Sequence, residues 1–318
     1  LQIPDSDRIM PGNSIEQSNM AYKEEDPRVA TTKGKYWGIF ICWLLGNGCL
    51  FGFNSMLIIL DYYIYLFPEY HPAKVITVAY QPFVLGTTAI FTYYEAKINT
   101  RLRILAGYML FFFNSLAVIL LDVSTSGGGG IQPFVGTCII AACFGVANGH
   151  VQGGMTGDLS FMCPEFIQSF FAGVAASGAI TSALRFMTKA AFESSQNGLR
   201  RGAMIFFSMS CFFELLCLIL YAFIFPRLPI VIFYRSKAAS DGSLTVKADL
   251  AAGGIKSPLN SMSIDPAYIE RLSTKQLLLQ NIDYVMDLFL TYVVTISIVP
   301  GFLAEDTGSH SMGSWYYN

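Results

Sequence analysis

The sequence predicts an all-α multi-pass membrane protein, and three observations carry that reading. Of 318 residues, 53% are hydrophobic and only 13% are Asp, Glu, Lys or Arg, about half the charged share of a soluble domain. The mean hydropathy is +0.47. The apolar residues gather into seven long runs separated by short polar turns, most of them long enough to cross a hydrocarbon core of about 30 Å at about 1.5 Å per helical residue. With a net charge of −2 there is no basic excess to hold a phosphate backbone, so nucleic acid is not expected as a partner.

Residues 1–35 mix charged residues with proline and few large apolar side chains, a composition that cannot bury a core. They read as a disordered cytosolic tail, without the apolar stretch of a signal peptide. The expected spans are then 36–60, 74–94, 104–121, 134–158, 169–190 and 202–225. DYYIYLFPEY, Asp61 to Tyr70, closes the first with tyrosines suited to the headgroup level. Gly127 to Gly130 reads as a flexible loop and lacks the Lys and Ser/Thr of a phosphate-binding loop. MCPEF, Met162 to Phe166, makes a short turn, and PRLP, Pro226 to Pro229, stops the sixth span. A polar, Ser-, Lys- and Gly-containing linker occupies 226–282, followed by a seventh span at 283–303 and an extracellular segment at 304–318.

With the N-terminus in the cytosol, fifteen of the twenty Lys and Arg fall in the tail, the second-to-third loop and the linker, as positive charge on the inner side requires. Lys74, Arg185, Lys189, Arg200 and Arg201 are the exceptions. The seven cysteines show no C-x-x-C spacing and read as small buried hydrophobes. Six spans, a linker and a further span are the plan of a two-bundle secondary transporter, with substrate between the bundles. Because the chain opens on Leu1 and stops one span into the second set, it reads as a fragment, truncated after its seventh helix.

Within the fourth run lies GVANGHVQGGMTGD, Gly145 to Asp158. As a helix it sets Gly145, Gly149, Gly153 and Gly157 on one stripe, where another backbone can approach closely. Asn148, Gln152 and Thr156 form a second stripe about 100° away. Polar groups in lipid either bridge helices or line a cavity, and the stripe alone leaves both open. The ionisable residues within or beside spans are functional candidates by default. Glu214 lies near the middle of the sixth span, and Asp158 ends the fourth. Each offers a titratable carboxyl for proton coupling, with a helix-bridging glutamate as the alternative for the first and simple reach to the interface for the second. His150 is read as a packing bond.

Several stretches resemble the equilibrative nucleoside transporter family, most closely its plant branch. They are GNGCLFGFNSMLIILDYYIYLFP (46–68), VITVAYQPF (75–83), VQGGMTGDLSFMCPEFIQSFFAG (151–173), SALRFMTKAAF (182–192), FPRLPIVIFYRSKA (225–238) and PGFLAEDTGSHSMGSWY (300–316). The resemblance implies a fold similar to the major facilitator fold, of which this chain would supply the first six-helix bundle and the first helix of the second. It implies transport of nucleosides or nucleobases of the adenosine and uridine class by alternating access, with protons in some plant members, no resident cofactor, and the plasma membrane as the expected location. The family's first-helix Trp-Asn signature matches Phe53 and Asn54, and its substrate-contacting glutamine matches Gln152. An amide there offers both donor and acceptor to a base edge or ribose hydroxyl. Asn47, seven residues before Asn54, and Leu57, one turn beyond it, extend that face, and Asn148 joins from the fourth span. The eighth helix, from which the family draws an Asp and an Arg, is not in this chain, so an alternative is a transport-inactive or regulatory form. A receptor requires the opposite orientation, and an enzyme lacks a motif such as H-E-x-x-H or G-x-S-x-G.

Overall fold

The computed structural model describes residues 34–94, 98–192, 197–252 and 279–297, and among these the regular structure is helical throughout. The helices are α1 (Lys35–Ile58), α2 (Leu60–Leu66), α3 (Pro72–Tyr93), α4 (Thr100–Ser124), α5 (Ile131–Ser160), α6 (Pro164–Phe192), α7 (Gly198–Ile219), α8 (Pro229–Ala252) and α9 (Ile282–Ser297). Among the described residues six helical segments are long and apolar enough to span a bilayer: α1, α3, α4, α5, α6, and α7 extended by a π turn and a 3-10 turn to Arg227. A helix covers most of each of the six ranges expected between 36 and 225, and most of these helices run a few residues further at both ends, whereas the range 283–303 is described only as far as Ser297. Pro72 and Pro164 open α3 and α6, where a missing N–H costs nothing. Asn99 caps α4 by accepting from the N–H groups of Arg101 and Leu102.

The first span is the hub. α1 packs against α5, α6 and α7, and two-thirds of its apolar window is buried inside the bundle. Its contact with α6 is backbone against backbone. A Cβ on Gly46 would collide with the carbonyl oxygen of Phe170, and one on Gly173 with that of Trp43. Either helix therefore needs glycine where the other crosses it, the close approach that dispersion packing exploits in lipid. Gly145 and Gly149 do the same for α5 against α3, facing the backbone of Tyr80 and the side chain of Thr87, whereas Gly153 makes room for the Arg103 guanidinium.

The pairing of spans repeats. The first packs on the fifth as the fourth packs on the second, the first on the sixth as the fourth on the third, and the third pairs with the sixth and the first with the fourth. Exchanging spans one to three with four to six thus preserves these contacts. An odd number of spans per set gives the second set the opposite starting side. The match is incomplete, since the fifth packs on the sixth while the second and third meet only weakly.

At the end of the bundle away from Lys35, the arginines that broke the charge pattern are held by acids. Arg185, buried in α6, donates two hydrogen bonds to Asp61 at 2.8 and 2.7 Å, with Lys189 3.7 Å from the same carboxylate. Arg200 donates to Asp122 at 2.9 Å, and the Tyr62 hydroxyl donates to the same group. Burial and then this carboxylate push the Tyr62 phenol up from its ordinary range. Tyr62 and Tyr63 are accordingly core residues that pack within the protein, whereas Tyr65 is 74% exposed. Their places on α2 turn them inward, beneath the end of α1.

Beyond the sixth span, PRLP ends the helix and starts another. Ile230 and Val231 of α8 are buried, so part of the region expected as a linker is helix docked on the bundle. The tail up to residue 33, the linker from 253 to 278, the end of the seventh span and the segment 304–318 lie outside the described residues. The glycine loop turns back with Gly127 at φ +69° and packs Gly129 against the Leu66 carbonyl. Four cysteines are buried and three half-buried, all as free thiols.

Introducing alanine at Gly46 drives α1 from α6 and lowers the apparent unfolding temperature in detergent. Gly86→Ala, where the added methyl meets open space, gains about 1 kcal/mol of helix propensity and leaves or raises that temperature.

Candidate functional site

The polar stripe of α5 meets α1 and α3 at a small network. Cys49 donates its thiol to Asn148 Oδ1 at 3.2 Å, and Asn148 Nδ2 donates to the Tyr80 hydroxyl at 2.5 Å. The Tyr80 ring stacks on Phe53 with centroids 3.5 Å apart and planes within 10°. All four side chains are buried. Asn148 therefore joins three spans, as a polar group in lipid must when no water reaches it. Phe53 spends one aromatic face on Tyr80.

Gln152, one turn further along α5, is different. It is half-buried, and its side-chain amide meets no hydrogen-bond partner among the described residues. Thr156 Oγ1 donates to its backbone carbonyl at 2.7 Å, so the third member of the stripe is satisfied locally. Asn54 of α1 donates from Nδ2 to Ser177 Oγ of α6 at 2.7 Å, which in turn donates to the Val174 carbonyl. Half-buried, Asn54 keeps its Oδ1 acceptor uncommitted, and half-buried Leu57 lies one turn beyond. Because α1 and α5 run in opposite directions and touch at Cys49 and Asn148, Asn54 and Gln152 stand about 13 Å apart along the bundle axis. The Phe53–Tyr80 stack lies between those depths.

Asn47 belongs elsewhere. The seven-residue spacing does keep it on the side of α1 that carries Asn54, but that side is turned to α6. It lines a cavity of about 490 Å³ with Trp43 and Phe51, walled otherwise by α6 and α7 and by no residue of α5. Its Oδ1 is buried without a partner.

Glu214 is fully buried where α7 crosses α1, and the Gly52 N–H donates to its Oε1 at 3.1 Å. The other carboxyl oxygen has no partner, and no ion pair to it exists among the described residues. Asp158 stands at the far end of α5, where its carboxylate pairs with Arg235 of α8 at 2.5 Å. Partial burial favours loss of the Arg235 proton, but the hydrogen bond to Asp158, that carboxylate's charge and Tyr221 together outweigh it and hold the guanidinium above its ordinary value. His150 rests edge-on against Phe91, with Nδ1 3.3 Å from the Arg103 carbonyl, and Arg103 lies over the same Phe91 ring and donates to the Gly149 carbonyl. Sequence patterning alone missed Tyr80 and Ser177. The tyrosine in VITVAYQPF and the Ser in a Gly/Ala/Ser-rich span carry no periodic signal that marks them as partners.

The structure thus brings Phe53 and Asn148 together through Tyr80, sets Asn54, Leu57 and Gln152 on half-open surface nearby, and separates Asn47, Glu214 and Asp158 from them. No group of three or more metal-binding side chains occurs among the described residues. A family model described as "Nucleoside transporter" matches residues 138–318. Two Arabidopsis thaliana proteins named equilibrative nucleotide transporter 3 and equilibrative nucleotide transporter 2 are 54% and 55% identical to the chain, over 93% and 89% of its length and 71% and 68% of theirs. A more distant relative from the same plant, equilibrative nucleotide transporter 1, is 27% identical over 92% of this chain.

Replacing Asn148 by Ala removes the acceptor of the Cys49 thiol and a hydrogen bond to the Tyr80 hydroxyl in the bundle interior and costs about 1–3 kcal/mol. Gln152→Ala, which removes no protein hydrogen bond, stays within about 0.5 kcal/mol of the parent. Equilibrium unfolding of both variants in mixed micelles separates the two.

Proposed function

The chain belongs to the nucleoside transporter family, and on that footing we propose that its α1–α5 surface is the half of a substrate site that the first bundle contributes. Nucleoside transport across a membrane is the family's function and this chain's; no enzymatic step is involved. The single observation that carries the site is Gln152, a half-buried amide with no protein hydrogen-bond partner within a membrane-spanning helix. A group of that kind is stabilised when a substrate edge supplies the missing donor and acceptor. The Phe53–Tyr80 stack gives the site its wall, and Asn54 Oδ1, on the side of α1 turned to α6, and Leu57 beyond it are proposed as a second contact further along the axis.

Charge favours a neutral nucleoside or nucleobase. The relatives are named nucleotide transporters, but a phosphate at mid-membrane needs a cation, and Gln152, Asn54, Phe53 and Leu57 bring none. Of the arginines buried within spans, Arg185 is held by Asp61 and Arg103 by the Gly149 carbonyl and Phe91. Adenosine or uridine fits such a wall better than its phosphates.

Alternating access by rocking of two bundles is supported by the exchange symmetry of the six spans. A cytosolic N-terminus is the proposed orientation, supported by the fifteen of twenty Lys and Arg that it sets on the inner side. The plasma membrane is the proposed location. For proton coupling, Glu214 is the proposed carrier, because no cation neutralises its carboxyl; Asp158, tied to Arg235, serves as a strut. Asn47 and Asn148 are assigned to packing.

Gln152→Ala lowers the apparent affinity for labelled adenosine about tenfold, the worth of one or two lost hydrogen bonds, while surface expression is unchanged. Unaltered uptake sinks the site. Glu214→Gln, which keeps shape but cannot ionise, flattens the dependence of uptake on external pH. If the variant keeps the parent's pH profile, protons do not pass through this residue.

A further inference from the structure

At the end of the bundle where spans three and four meet α8, a cavity of about 340 Å³ is lined by Asn99, Thr100, Arg101, Asp158, Tyr234 and Arg235, with Phe161, Met162 and Ala238 on its apolar side. The transport route does not use it. Its position follows from the topology: Thr100 begins a span, Ser160 ends one, and α8 begins two residues after the sixth, so all its walls stand at one face of the membrane.

We propose that this cavity binds the headgroup of an anionic phospholipid from the leaflet on that side. Four observations lead there. Arg101 makes no ion pair among the described residues and is solvent-exposed. Arg235 shares its guanidinium with Asp158 and keeps about 30% of its side chain accessible, so two guanidinium groups and one carboxylate leave the lining with one net positive charge. That balance suits the single charge of a phosphodiester, and a guanidinium matches its paired oxygens in a fork. Tyr234 and Thr100 add hydroxyl donors. Finally, Phe161 is 69% exposed at the rim, where an aromatic ring belongs if acyl chain lies beside it and is out of place if only water does.

A phosphate free in solution shares the headgroup chemistry, and the apolar rim is what decides for the lipid. Occupancy ties the loop before α4, the end of α5 and α8 through one anion, reinforcing the Asp158–Arg235 strut. Basic pockets between span ends bind such headgroups by the same electrostatics.

The test uses the purified chain in neutral detergent, with thermal unfolding followed on addition of phosphatidylglycerol, phosphatidylcholine or soluble glycerophosphate. Phosphatidylglycerol raises the unfolding temperature by roughly 3 °C or more, as a ligand of the folded state does. Phosphatidylcholine and glycerophosphate at the same concentration do not. Arg101→Ala, which breaks no ion pair, abolishes most of that shift, and Arg101→Lys restores part of it. Equal protection by phosphatidylcholine, equal protection by glycerophosphate, or an Arg101→Ala protein that responds like its parent each overturns the proposal. Because the reading is unfolding and not uptake, its outcome is separate from that of the substrate site.

Discussion

The contact between α1 and α6, where each backbone runs against the other, is the constraint on which the bundle depends. Lipid offers no hydrophobic drive between helices, so association rests on dispersion and on hydrogen bonds that lipid cannot supply. Gly46 and Gly173 let the two helices close until carbonyl oxygens stand where a methyl would be. With α6 so close, α1 is drawn to the centre, and α5 and α7 can reach its other sides. Cys49 then meets Asn148, and Gly52 meets Glu214. The same trade of side chain for proximity recurs between α5 and α3, which places Tyr80 over Phe53.

A buried polar group in such a bundle is stabilised by a partner or by a ligand, and several of the described residues find theirs within the protein. Asn148, Asn54 Nδ2, Thr156, Asp122 and Arg185 Nη2 are hydrogen-bonded within the protein. Gln152 and Asn54 Oδ1 are not, and both lie on half-open surface. Charges follow the same rule: the cations at one end are bound by Asp61 and Asp122, and at the other Arg235 is bound by Asp158. What stays polar and open is therefore uncharged within the spans and cationic at one edge, two environments suited to different chemistries.

Much of this was legible in the sequence. All six spans were, because 20-residue apolar runs permit few alternatives, and so was the glycine stripe, whose spacing is a property of one helix. Partners were not. Asn47 and Asn54 share a helical face, yet the face is α6's, which depends on where Gly46 and Gly173 bring that helix. Asn148 and Gln152 share a stripe, but Tyr80 reaches only the first of them. The tyrosine run 62–65 does not by itself tell which rings α2 turns into the protein, and the docking of α8 rests on Ile230 and Val231 in a segment whose composition is otherwise polar. In each case the periodicity of one element gave a direction, and the position of a neighbour gave the meaning.

The division of the polar stripe is the centre of this account, and chemical accessibility reads it directly. In a variant lacking the native cysteines, Gln152→Cys and Asn148→Cys are exposed to a membrane-impermeant thiol reagent from each side, with and without adenosine. The account predicts that Cys at 152 reacts and that adenosine slows the reaction, while Cys at 148 stays unreactive under both conditions. Equal reactivity at the two positions, or labelling at 152 that adenosine leaves unchanged, contradicts it.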